Sequence, residues 1–151
     1  MKKTIALKIA ALMVMVSVSS IADSSVWLNM GGVSWHPGTA GMNGRNGGMG
    51  LEWSLNDKRF AAAGMYHNSL DQTSHYIAHG WRAYQHNAAI SGGMVAGVID
   101  GYQWRNGRII PLAAPYITVE GTHVAVNVII IPKIEKHIAT TVAFQIKFKV
   151  R

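Results

Sequence analysis

From Thr141 to Val150 the chain alternates without a break. Val142, Phe144, Ile146, Phe148 and Val150 fall on one parity, and Thr141, Ala143, Gln145, Lys147 and Lys149 on the other. A period of two is what a β-strand shows when one face is apolar and the other polar or small. Met49, Leu51, Trp53 and Leu55 repeat it against Gly50, Glu52 and Ser54. Looser versions span about 25–35, 59–66, 74–84, 88–99, 108–119 and 122–131. The pattern predicts eight strands and no helix in this part of the chain.

The connections between these runs alternate in length. Pro37–Gly47 is long and rich in Gly and Asn, Asn56–Lys58 is tight, Asn68–Thr73 is longer again, and Gln85–Asn87 is short. Asp100–Gly107 is long, Glu120–Gly121 short and Pro132–His137 long. Outer-membrane barrels combine short periplasmic turns with long outer loops, an even strand number and about ten residues per strand. The expected fold is therefore all-β: an eight-stranded antiparallel up-and-down barrel of outer-membrane type. Both termini would be periplasmic and every long loop would face outward. Such a barrel has room inside for side chains or one slim ligand. Pro111, Pro115 and Pro132 remove ladder donors. They mark either early strand ends or two gaps in the wall, near strands six and seven, through which a molecule enters sideways.

Residues 1–22 carry Lys2, Lys3 and Lys8 ahead of an almost unbroken apolar run from Ile9 to Val18, with small residues before Asp23. That is the layout of a cleavable signal peptide, and the run is shorter than the roughly 20 residues a spanning helix needs. Residues 23–151 form a single barrel domain. Export without disulfides, since the chain has no cysteine, leaves the periplasm or the outer membrane as its home. The whole chain carries a net charge of +7. Removing the three signal lysines leaves +4, too modest to support nucleic-acid binding. No phosphate loop, dinucleotide fingerprint or zinc helix is present, and no metal or cofactor is expected.

Seven histidines are present. His75 and His79, four apart on a strand, would lie roughly 13 Å apart, too far to share a metal. His36 and Ser69 differ from the rest because both follow ascending strands and so reach the outer rim together. An imidazole beside a hydroxyl is the minimum for acyl transfer, with a third group to orient the ring. Asn68 or Asp71 is placed to be that group.

Gly32-Val33-Ser34-Trp35-His36, Asn43-Gly44-Arg45 with the glycine run Gly47–Gly50, Tyr66-His67-Asn68-Ser69, and the prolines at 111, 115 and 132 occur in that order along the chain. Together they resemble the lipid A palmitoyltransferase (PagP) family of eight-stranded outer-membrane barrels. The resemblance implies transfer of an acyl chain from a membrane phospholipid to the lipid A part of lipopolysaccharide, by a monomer in the outer membrane of a Gram-negative bacterium. It places His36 and Ser69 at the family's catalytic His and Ser. Arg45 becomes a phosphate-binding candidate, and Pro111 and Pro132 flank the openings for lipid. Asn68 departs from the family, which has an acid there; an amide supplies no charge to an imidazolium. The family's leading amphipathic helix and its terminal aromatic also have no counterpart. The rival readings are a PagP-like barrel without activity, serving a binding or structural role, and a soluble periplasmic lipid carrier.

Overall fold

A computed structural model describes residues 25–87, 89–102, 108–133 and 139–151. The segment read as a signal peptide, and His137, lie outside them. Among the described residues there is no helix, and the strands are β1 (Val26–Trp35), β2 (Arg45–Asn46), β3 (Gly48–Asn56), β4 (Arg59–His67), β5 (Thr73–Gln85), β6 (Ile90–Ile99), β7 (Ile110–Glu120), β8 (Val124–Ile131) and β9 (Thr141–Lys149). Both β2 and β3 pair with β1, and β2 prolongs the β3 stave beyond Gly47. All neighbours are antiparallel, and β9 pairs back onto β1. The result is a closed barrel of eight staves. Closure removes the exposed sheet edges that neither water nor lipid tolerates.

Side chains sort by parity as the sequence predicts. Met49, Leu51, Trp53 and Leu55 on β3, and Phe144, Ile146 and Phe148 on β9, are exposed on the outer face. Trp35 stands at the long-loop rim, whereas Trp53, Trp81 and Tyr84 gather toward the turns. This is the apolar belt with aromatic borders that a bilayer requires. Inside, Glu52 and Lys147 are both fully buried and joined at 2.6 Å, with Arg82 3.8 Å from the same carboxylate. Asn127 reaches Glu52 at 3.4 Å, bonds Gln145 at 3.1 Å and accepts from Thr118 at 2.7 Å. This polar layer fills the turn-side half of the lumen. Phe60 completes it by packing where Gly80 has no side chain: a Cβ at position 80 would lie 1.9 Å from the Phe60 ring.

The prolines do not end a strand early. Pro111 and Pro115 sit inside β7, in an unbroken ladder with β6 from Ile90↔Val119 to Ile99↔Ile110. A proline keeps such a ladder only when its nitrogen faces the other edge. On that edge β7 pairs with β8 only over Tyr116–Glu120. Ile130 and Ile131 of β8 pair with β9 alone, and Pro132 follows directly. The three prolines therefore border one opening, between β7 and β8 in the loop-side half, in place of the two expected.

Candidate active site

The mouth of the barrel is built from two loops that topology brings together across one stave. His36 follows β1 and Ser69 lies just after β4; the ring Nε2 and the serine Oγ are 2.7 Å apart. His36 is only 8 % exposed. Burial holds its pKa below the ordinary histidine value of 6.5, because desolvation disfavours the charged ring. The imidazole is thus kept neutral and able to accept a proton.

A bulge decides that His36 points inward. From Trp27↔Lys149 to Asn29↔Lys147 the β1–β9 register is constant, and it shifts by one residue before Gly32↔Gln145. Met30 and Gly31 together oppose Ile146, so the inward parity changes from odd to even. Trp27 is fully buried in the lumen, yet Trp35, of the same parity, is 63 % exposed outside. Gly31 adopts φ +60°, and a Cβ there would lie 2.5 Å from the Asn46 carbonyl oxygen and the Gly48 nitrogen. Only glycine fits such a turn so close to a neighbouring backbone. Without the extra residue, His36 would face lipid.

Below the pair lies a cavity of about 220 Å³. Ile99, Ile110, Leu112, Ala114, Ile129 and Ile131 form its apolar wall. Leu112 and Ala114 on one side, and Ile129 and Ile131 on the other, belong to the two edges of the β7–β8 opening. The floor is polar: Glu52, Asn127 and Gln145 line it, as do Asn29 and Tyr116.

The remaining predicted residues have other placements. Asn68 is fully buried. Its amide donates to Ser74 Oγ at 2.9 Å and to the Gly101 carbonyl at 3.0 Å. Its oxygen accepts from the backbone of Leu70 at 2.8 Å and of Gln72 at 3.1 Å. Every polar atom of that amide is engaged in holding the β4–β5 loop, and among the described residues none bonds the His36 ring. Asp71 pairs with His67 at 3.3 Å instead. The structure thus brings neither expected orienting group to the imidazole. Arg45 is exposed beside outward-facing Val33, on the membrane side of the rim and away from the cavity. Pro111 and Pro132 are exposed at the opening.

Sequence reasoning did not single out Asn43 as a bridge. Its backbone N–H donates to the Ser69 carbonyl at 3.0 Å, and its side chain accepts from Arg45 N at 2.8 Å. Asn43 thereby ties the His36 loop to the Ser69 loop. An Asn inside a Gly-rich loop gave no sign of its distant partner. Among the described residues no three His, Asp or Glu side chains converge to hold a metal. His75 pairs with Asp100 at 3.2 Å, and His79 lies on the outer face.

No protein-family model and no curated protein sequence matches the chain. Solved structures do. A de novo designed transmembrane β-barrel superposes with a TM-score of 0.60 at 16 % identity, over 84 % of this chain and 93 % of that one. The N-terminal β-barrel domain of Pseudomonas aeruginosa OprF gives 0.53 at 11 % identity, over 83 % and 96 %. At such identities the likeness establishes the fold, an eight-stranded barrel of outer-membrane type.

Proposed function

We propose that the protein sits in the bacterial outer membrane and transfers an acyl chain from a phospholipid to a hydroxyl of a lipid A-like acceptor. One observation carries this reading: a buried imidazole 2.7 Å from a serine hydroxyl stands at the mouth of a cavity with an apolar wall. In the reaction His36 Nε2 takes the Ser69 proton as Ser69 Oγ attacks the ester carbonyl. The C–O bond to the phospholipid breaks, and the proton passes to the leaving alcohol. An acceptor hydroxyl then attacks acyl-Ser69, giving its proton to His36, which returns it to Ser69 Oγ. The cavity holds the chain, and the β7–β8 opening admits it from the bilayer.

The test is acyl transfer by the refolded protein in detergent. His36→Ala and Ser69→Ala should each cost at least 100-fold, the usual share of a general base. Activity untouched by both removes the assignment. A second reading, a barrel that binds an acyl chain without transferring it, is favoured by the Asn68 bonds. With no carboxylate on the ring among the described residues, an imidazolium lacks a countercharge. It predicts chain binding with no turnover in the native protein.

A further inference from the structure

Ser34 stands out against the cavity wall. Its Oγ is buried with no hydrogen-bond partner among the described residues, and the residue is part of the cavity lining. After the Gly31 bulge it shares the inward parity of His36, two residues earlier on β1. Two residues along a tilted stave place it about 5 Å below the imidazole. Its cross-strand neighbour is Ala143, whose methyl offers no partner.

A chain whose carbonyl meets His36 and Ser69 runs past Ser34 with its first few carbons. A methylene there leaves the buried hydroxyl unpaired. A hydroxyl on the chain at that level pairs with it, as donor or as acceptor. Sites built to bond a hydroxyl discriminate strongly against analogues that lack one, because their own polar atom is then stranded.

We infer that the cavity selects acyl chains bearing a hydroxyl near the carboxyl end, of the 3-hydroxyacyl class, and that Ser34 is the residue that reads it. This deepens the proposed acyl-chain reading and rests on it. The experiment titrates a 3-hydroxyacyl lysophospholipid and the plain acyl lysophospholipid of equal length into the refolded barrel in micelles. Wild type should bind the hydroxylated probe about tenfold more tightly. Ser34→Ala, with folding checked by heat-modifiable gel migration, should equalise the two by weakening the hydroxylated one. Equal affinities in wild type, a preference that survives in Ser34→Ala, or no binding of either probe would each overturn the inference. The same probes presented as diacyl donors separate the two claims. A binding preference without any transfer sinks the catalytic reading alone, and transfer without preference sinks the role of Ser34 alone.

Discussion

Replacing Asn68 by Asp looks, from the resemblance, like the restoration of a missing acid. The structure predicts damage instead. Asn68 donates two hydrogen bonds, to Ser74 Oγ and to the Gly101 carbonyl at 3.0 Å. A carboxylate donates none. Its second oxygen would face the Gly101 carbonyl, acceptor against acceptor, in a fully buried site. Ser74 can turn to donate to the new oxygen, but it then gives up its 2.7 Å bond to the Asp100 carbonyl. One bond is therefore lost outright, about 1 kcal/mol, and one buried carbonyl is stranded, for a further 1–3 kcal/mol. The expected cost is about 2–4 kcal/mol, with a loosened β4–β5 loop and no gain at His36. Urea unfolding of the refolded variant in detergent, followed by tryptophan fluorescence, measures it. Acyl transfer is assayed on the same preparation. An Asn68→Asp protein as stable as wild type, or one that transfers acyl chains faster, would refute the reasoning.

Gly31→Ala strains the bulge and crowds the Asn46 and Gly48 backbones, so it should lower stability by more than 1 kcal/mol and reduce chain binding at the mouth; the same unfolding and titration assays report both. Glu52→Ala leaves the buried Lys147 cation with Glu120, 4.0 Å away, as its carboxylate among the described residues and should cost about 3 kcal/mol, whereas pairing it with Lys147→Met should recover most of that; a double-mutant cycle in urea checks the coupling. The lowered pKa of His36 sets a pH signature. Above pH 6.5 the ring is neutral both folded and unfolded and contributes nothing to pH dependence. As pH falls below 6.5 the unfolded chain takes up the proton first, so stability declines until the folded pKa is passed. Acyl transfer should persist below pH 6.5 and then fall as the base is protonated. A midpoint above 6.5 contradicts the burial of the ring.

The sequence alone determined the staves. A period of two survives because lipid on one side and a packed lumen on the other impose opposite demands on successive residues. Alternating loop lengths put His36 and Ser69 at one rim, and strand ends were readable to within about two residues. Glu52 and Lys147 were both visible on the polar parity of their strands, but their pairing was not. Tertiary structure decided everything that depends on register. A single extra residue at Met30–Gly31 reverses the inward parity, and simple alternation along β1 carries no trace of it. The three prolines border one opening because pairing between β7 and β8 stops at Tyr116 and Ile129, a fact about two strands rather than either one. The Asn68 amide looked like a weakened acid, yet its four bonds run to Leu70 and Gln72 of its own loop, to Ser74 of β5 and to Gly101, partners set by how distant segments meet. Local pattern fixes which face a side chain prefers; only the closed sheet fixes which atoms it finds there.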